Sequence, residues 1–581
     1  RRGGTVKSGV CGADPSRNDP WGLDGHGALL PQDALLPLIE SARPGIAPTR
    51  RSPAWRRAGI LLAAILLVSG GAMTLAMRRT STTFDEIILI AGGAHGYETG
   101  DWSIAPEHPP LTQYLYGLLP FLSGPTYPDE FAFEMERYSY SRILFFGSGN
   151  DPEVLAFLGR LPGVVCALAL VFLVFAFTRR HFGDAAGVLA AAIVAFLPDV
   201  LAHSGVAYND VPVTLAIFAA VWLADNAVRR PTLYRGAAFG IVAGLALGTK
   251  NSAVALAPIV LLLLAAEAIV RRAERNWLKR LPLAIGAALI TTYLAIVLVY
   301  RGDFLLSEYR YALDFVFGQV TEPEYPSYLL GRTTVGGWWY YFPVAFLFKT
   351  SAGLHVLLAL GAIHSATRLR EAESFRRLLQ SRLRVPLMTL VTFVPLLLTS
   401  ELNIGFRYAM PVLPMLGVLG GVSAVGVWHA NWRRARLVIG AATACLIVHP
   451  LSYFPNFLTY ISEYGPGRDR NYTVLVDSSM DWGQGLIQLR DFMRQHEIPS
   501  VYLGYFGTAV PAAYGIDYVP LPSFPMLPPA PTGAPPLRYI VISATNLAGG
   551  GYFAAADPYY RFREREPAYV IGNTLYVFNI Q

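Results

Sequence analysis

The sequence predicts an α-helical polytopic membrane protein with about eleven transmembrane helices and a C-terminal α/β domain outside the bilayer. Three observations predict this class. Hydrophobic residues make up 53% of the 581 residues and charged residues only 15%, against roughly 25% charged in a soluble domain. Mean hydropathy is positive, at +0.39. Apolar runs recur along the chain and alternate with short basic segments. A chain this poor in charge cannot cover a soluble surface, and it is too apolar to be disordered over most of its length. Three cysteines, Cys11, Cys166 and Cys445, cannot form a disulfide framework, and the last two sit inside apolar runs as small core residues.

Taken in order, residues 1–57 are rich in Gly, Pro and Arg without hydrophobic period and read as a disordered cytoplasmic tail. No apolar stretch with a small-residue cleavage site precedes residue 58, so the first apolar run is expected to stay in the protein. Spanning a hydrocarbon core takes roughly 20 helical residues. The candidates are 58–77, 154–177, 185–203, 211–228, 236–249, 252–270, 281–300, 338–363, 386–400, 409–428 and 437–455, which place a transmembrane domain over 58–455. Glycines at 240–248 read as close helix packing.

The net charge of +7 does not point to nucleic acid, because of where the cations lie. Nineteen of the 47 Lys and Arg residues fall in 178–184, 229–235, 271–280, 364–385 and 431–436, between apolar runs. Threading eleven spans puts all five on one side, the cytoplasmic side of an inner (plasma) membrane. The segment 78–153 then lies outside, and it carries eleven Asp and Glu against four Lys and Arg. Residues 456–581 follow outside as a small α/β domain. Its strand-like runs are 472–476, 501–506, 538–543 and 573–580, with helical spacing over 486–497 and a proline-rich loop over 519–536.

Ionisable groups at membrane depth or at its edge are costly and mark candidate sites. Asp85 and Glu86 follow the first span by a few residues and precede the apolar IILIA, which pins them at the interface. Glu107 and His108 stand between Pro106 and Pro109-Pro110, a frame that fixes their backbone. Asp210, before Pro212, reads as an N-cap of the fourth span and also as a second carboxylate converging on Asp85. Lys250, Lys349 and Arg407 are three cations on the outer half of a chain whose basic residues otherwise lie inside, which points to an anionic ligand such as a phosphate. Trp338 belongs to GWWYYFPVAF (337–346), either an interface belt or a wall for a lipid chain or sugar face. There is no Walker loop, GxSxG elbow or zinc spacing.

FDE (84–86), GD (100–101) and PEHPPL (106–111) resemble the first outer loop of the protein O-mannosyltransferase family, glycosyltransferase family 39. HSGVAYND (203–210), GLALGTKNSA (244–253), GWWYYFPVAFLFKT (337–350), NIGFRYAMPVLP (403–414) and DSSMDWGQGLIQLRDF (477–492) extend the likeness to bacterial phospholipid carrier-dependent glycosyltransferases. The resemblance implies a C-type membrane glycosyltransferase fold and transfer of a mannose-like hexose from a polyprenyl-phosphate-linked donor. The acceptor, whether protein, lipid or polysaccharide, is not specified. It implies Asp85 as general base with Glu86 beside it, and inversion at the anomeric carbon. Lys250, Lys349 and Arg407 would offset the phosphate, while Glu107, His108, Asp210 and Trp338 would hold acceptor or sugar. No cofactor is implied, although Asp85, Glu86 and His108 are residue types able to bind a divalent metal. Two departures stand out: Gly485 replaces a more usual acidic residue, and Asn209-Asp210 replaces Thr-Asp. The competing readings are a transporter or flippase for a lipid-linked or anionic substrate, a non-catalytic assembly factor, and an oligosaccharyltransferase. Against the last counts the missing WWD-type motif.

Overall fold

The computed structural model describes residues 53–128, 137–271, 274–321, 326–366, 372–430, 433–529, 538–549 and 557–580. Most of the predicted N-terminal tail, Cys11 and the end of the proline-rich loop lie outside the described residues. The predicted class is the class observed, a bundle of apolar helices carrying a small C-terminal sheet domain. The helices are α1 (Pro53–Met77), α2 (Glu86–Thr99), α3 (Pro110–Leu122), α4 (Arg137–Arg142), α5 (Pro152–Phe182) and α6 (Asp184–Ala195). There follow α7 (Pro198–His203), α8 (Asp210–Arg229), α9 (Leu233–Leu247), α10 (Leu256–Arg271), α11 (Arg275–Val299) and α12 (Ser307–Thr321). The bundle ends with α13 (Tyr341–Lys349), α14 (Ala352–Ala366), α15 (Ala372–Gln380), α16 (Arg384–Leu398), α17 (Leu413–His429) and α18 (Arg433–Leu451).

Among the described residues, seven helices are long and apolar enough to cross a membrane, and α13 with α14 would make an eighth across a 111° bend. Three more predicted spans, at α6, α9 and α16, are helical but short. The expected eleven spans are thus not all secured by length. Proline accounts for one shortfall: the span predicted over 185–203 breaks after α6 and restarts at Pro198. The span predicted over 338–363 is likewise not continuous, and Lys349 sits at its break.

Local sequence explains the well-formed helices. Asp151 caps α5 by accepting hydrogen bonds from the N–H groups of Glu153 and Val154, and Arg179, Arg180 and His181 occupy its last turn, where the helix dipole favours cations. Gly236, Gly240 and Gly244 recur every fourth residue on α9, facing α11. A Cβ on Gly236 would lie 2.1 Å from the Ala284 carbonyl oxygen, and one on Gly240 2.2 Å from that of Ala288. The glycine stripe is therefore what lets the two backbones touch. At the end carrying the basic connections, fully buried Arg384 bridges Asp225 and Glu267 at 2.6 Å each, while Arg229 and Arg271 pair with the same two carboxylates. Several cations that read as topology markers thus also tie α8, α10 and α16 together.

The C-terminal domain is a five-stranded mixed sheet. Its strands are β3 (Val501–Gly504), β4 (Tyr518–Pro520), β5 (Tyr539–Ser543), β6 (Tyr569–Ile571) and β7 (Leu575–Asn579), in the order β4-β3-β5-β7-β6; β1 (Ser327–Leu329) and β2 (Arg332–Thr334) form a separate hairpin. β3 is parallel to β4 and β5, and β7 is antiparallel to β5 and β6. Helix α19 (Leu486–Gln495) buries Leu486, Ile487, Leu489 and Met493 against the sheet. The run at 472–476 is not the expected strand. It follows a 3-10 turn (Arg468–Thr473), and Val474 and Leu475 bury in the bundle core while Tyr472 and Val476 face the sheet domain. It is apolar because it is covered from two sides.

Candidate active site

At the end of the bundle away from the basic connections lies a cavity of about 350 Å³. Its walls come from the α1–α2 connection, α4, the approach to α8, the 3-10 turn Phe406–Val412 and the C-terminal domain. Asp85, Glu107, His108 and Arg407 all line it.

Asp85 occupies the N-cap position of α2, yet its side chain makes no capping hydrogen bond. One carboxylate oxygen, Oδ1, accepts from the Tyr138 hydroxyl at 3.0 Å, and Oδ2 lies 3.7 Å from Arg407 Nη2. Burial, and then the Asp85 charge beside it, holds the Tyr138 hydroxyl protonated well above the ordinary value of 10. Glu86 is the next residue and the first of α2, and it points away from the cavity. It is wholly buried in a bidentate pair with Arg160, at 2.5 and 2.9 Å, and accepts from the backbone N–H groups of Thr83 and Ala207. Arg160 in turn donates to the carbonyls of Met77, Thr80 and Ser81. The Glu86–Arg160 pair thus fixes the segment that ends in Asp85.

Arg407 is only 3% exposed. It sits between aromatic faces, with its Cζ 4.4 Å from the Trp482 ring centre, 4.7 Å from Tyr208 and 5.3 Å from Tyr408. Asp85 and Asp210 approach it only to 3.7 and 3.9 Å. Among the described residues, its Nε and Nη1 have no hydrogen-bond partner although both are buried. A buried donor left unmade is costly; facing Nη1 is the Asp210 Oδ2, 3.9 Å away, which is itself buried and without a hydrogen-bond partner among the described residues.

Asp210 and Asp85 do converge, as flanks of Arg407. Asn209, not Asp210, holds the N-cap position of α8, and Asp210 pairs with Lys250 at 2.5 Å. Lys250 spends one of its three N–H bonds on Asp210 and lies near the Tyr208 and Tyr408 rings. Lys349 is placed elsewhere: its ammonium donates to the carbonyls of Leu458, Tyr460 and Ser479 at 2.8–3.1 Å, which uses all three of its N–H bonds. Trp338 stands outside the cavity lining, and its backbone N–H donates to Asn403 Oδ1 at 2.8 Å. Glu107 pairs with Arg137 at 2.6 Å. His108 faces Tyr208 edge-on; burial lowers its pKa below the ordinary 6.5, against the opposing pull of Glu107 and Asp85. No group of three or more His, Cys, Asp and Glu side chains among the described residues is placed to hold a metal. In the suggested trio of Asp85, Glu86 and His108, Glu86 is taken by Arg160.

Sequence reading missed how much the C-terminal domain supplies. Asp477, Trp482, Phe506, Thr508, Phe524 and Pro525 all line the cavity. The only local signal was the string DSSMDWGQ itself. Gly485, the departure noted above, has a steric reason: a Cβ there would lie 2.8 Å from Thr574 Oγ1 and 2.9 Å from Leu575 Cδ1. A larger residue there would have to displace the Thr574 and Leu575 side chains.

Residues 153–300 match the family model described as dolichyl-phosphate-mannose-protein mannosyltransferase, which covers part of the resemblance read from the sequence. No curated protein sequence matches the chain. Similar solved structures include ArnT from Cupriavidus metallidurans bound to undecaprenyl phosphate, at 17% identity and a TM-score of 0.45, covering 68% of this chain and 65% of that one. Apo ArnT gives 16% identity and a TM-score of 0.44 over the same shares. The Archaeoglobus fulgidus oligosaccharyltransferase in complex with zinc and sulfate gives 13% and 0.37, covering 70% of this chain and 54% of that one. The chain thus spans less than two thirds of each of these proteins.

Proposed function

We propose that this protein is an integral membrane glycosyltransferase. It transfers a mannose-like hexose from a polyprenyl-phosphate-linked donor to an acceptor hydroxyl, with inversion and with Asp85 as general base. The observation that carries the reading is a single cavity holding Asp85, which does not cap its helix, beside buried Arg407 with two unpartnered N–H nitrogens. The family description over residues 153–300 names a donor of this chemical class, a sugar on a polyprenyl phosphate.

The acceptor oxygen attacks the anomeric carbon and its proton passes to Asp85. The bond from that carbon to the phosphate oxygen breaks, and polyprenyl phosphate leaves as an anion. Arg407 receives the charge that develops on the leaving oxygen, in a site from which water is largely excluded. Tyr138 holds one oxygen of Asp85 and leaves the other for the proton. Glu86 orients the loop through Arg160. Asp210 and Lys250 form a neutral pair that steadies Arg407 from behind. The donor headgroup and the C-terminal domain lie on the outer face of the cytoplasmic membrane, with the N-terminus inside.

The test is release of polyprenyl phosphate. Purified protein in lipid is mixed with labelled polyprenyl-phosphate sugars, mannose first, and a panel of peptide, lipid and glycan acceptors. Acceptor-dependent release of the lipid phosphate is expected. A donor that crosses the bilayer intact, without release, would establish the transporter reading instead.

A further inference from the structure

We infer that the C-terminal domain is a working part of the catalytic centre and that Trp482 is the residue through which it acts. Trp482 is a positioning residue that holds Arg407 and the Asp85 loop at once. The inference rests on the reading of Arg407 as the donor phosphate site, and it goes beyond that reading by assigning a role to the sheet domain.

Trp482 is 2% exposed and is among the largest side chains buried in the molecule. Its ring lies against the Arg407 guanidinium at 4.4 Å, the shortest of the three aromatic approaches to that group. An aromatic face attracts a cation through its quadrupole without consuming an N–H donor. A carboxylate in the same place would take those donors in a bidentate pair. Packing against Trp482 is therefore a way to hold a buried guanidinium at the cavity wall without spending any of its N–H donors.

The same residue grips the other half of the site. Its carbonyl accepts from the Phe84 N–H at 2.8 Å, one residue before Asp85. Around this bond the two chain segments are laced together. The Ser81 hydroxyl donates to the Gly483 carbonyl at 3.0 Å and the Ser81 N–H to that of Gln484 at 3.1 Å, while the Thr508 hydroxyl donates to the Phe84 carbonyl at 2.7 Å. The turn is itself rigid. The Trp482 N–H donates to Gln484 Oε1 at 2.7 Å, and Gly483 has φ +96° with Tyr505 packed against it. Arg407 and Asp85 come from segments more than 300 residues apart, and one residue of a separate domain meets both, its ring lying on Arg407 and its backbone carbonyl accepting from Phe84. Their mutual placement is then set by how that domain docks.

The experiment measures binding of radiolabelled undecaprenyl phosphate to the full-length purified protein, for wild type, Trp482→Phe and Trp482→Leu, with thermal unfolding of each chain. Affinity should follow the aromatic face: about three-fold weaker for Phe and at least ten-fold weaker for Leu. Both losses should persist at temperatures well below each chain's own unfolding. Leu binding within two-fold of wild type overturns the inference. So do losses that track only the fraction of unfolded protein. If Trp482→Leu does not fold, Trp482→Phe decides alone, and binding indistinguishable from wild type overturns the role. Failure of wild type itself to bind undecaprenyl phosphate overturns the donor reading and this inference with it, whereas wild-type binding with unchanged variants overturns the Trp482 role only.

Discussion

Replacing Asp85 by Asn separates chemistry from architecture in this site. The amide keeps the size of the carboxylate, and its oxygen can still accept the 3.0 Å bond from Tyr138. Arg407 keeps its three aromatic faces and Asp210 at 3.9 Å. Lys250 already neutralises Asp210, however, so the variant removes the one nearby carboxylate that, among the described residues, has no other cation. The lost charge lies 3.7 Å from buried Arg407, so stability should fall by about 1–3 kcal/mol, the scale of a hydrogen bond or contact to a charged group. Donor affinity should hold or rise slightly, since the lost negative charge competed with the phosphate for Arg407. What disappears is the proton acceptor. General-base assistance contributes about 10²–10⁴-fold, or roughly 3–5 kcal/mol of barrier. Asp85→Asn should therefore fold and bind undecaprenyl phosphate like wild type while losing at least two orders of magnitude in polyprenyl phosphate release. Near-normal turnover would refute the assignment, and so would a loss explained by weakened donor binding.

Glu86→Gln breaks a wholly buried pair and leaves Arg160 charged and uncompensated, which costs about 3–5 kcal/mol; thermal unfolding should show a large loss of stability, while turnover per folded molecule falls less than for Asp85→Asn. Lys349→Met leaves three buried carbonyls without a donor, at about 2–5 kcal/mol in total. Its unfolding midpoint should drop while undecaprenyl phosphate affinity, measured on the folded fraction, stays within two-fold of wild type. Asp481 is buried beside Trp482, and burial pushes its pKa up to about 7 from 3.8 even though it accepts N–H bonds from Thr545 and Gly483. The folded chain thus keeps a proton that the unfolded chain releases. This stabilisation is complete below about pH 4 and fades as pH rises through 7. Thermal unfolding between pH 5 and 8 should show that slope, and Asp481→Asn should flatten it.

What could be read from the sequence was whatever a local string carries. The apolar runs became helices because about 20 consecutive apolar residues have few other options. The glycines at 240–248 turned out to face a neighbouring backbone, since a stripe at every fourth position has one strong use in a packed bundle. The outer loop brought Asp85, Glu107 and His108 to one cavity because short, proline-framed segments keep neighbours together. Cations were harder. Lys349 and Arg407 are both lone charges in apolar surroundings, and nothing in their flanks says that one meets three carbonyls at a helix break while the other meets three aromatic rings. The contribution of Trp482 was invisible for a different reason: its partners at 84 and 407 are set by domain docking, which leaves no periodicity in the chain.

The pair Asp85-Glu86 shows how far adjacency misleads. Two acidic residues side by side invite a shared role, yet at a helix start successive side chains diverge by about 100° around the axis. Asp85 precedes the first turn and turns to the cavity; Glu86 is inside the first turn and faces α5, where Arg160 waits. One residue therefore works as the other's foundation. An acid at an N-cap ordinarily spends its oxygens on the exposed N–H groups of the first turn. Here Glu86 reaches back to the Thr83 N–H and ties down the approach to the helix, while the Asp85 side chain caps nothing. That leaves the Asp85 carboxylate clear of the α2 backbone, where it lines the cavity between Tyr138 and Arg407, as the proposed role of general base requires.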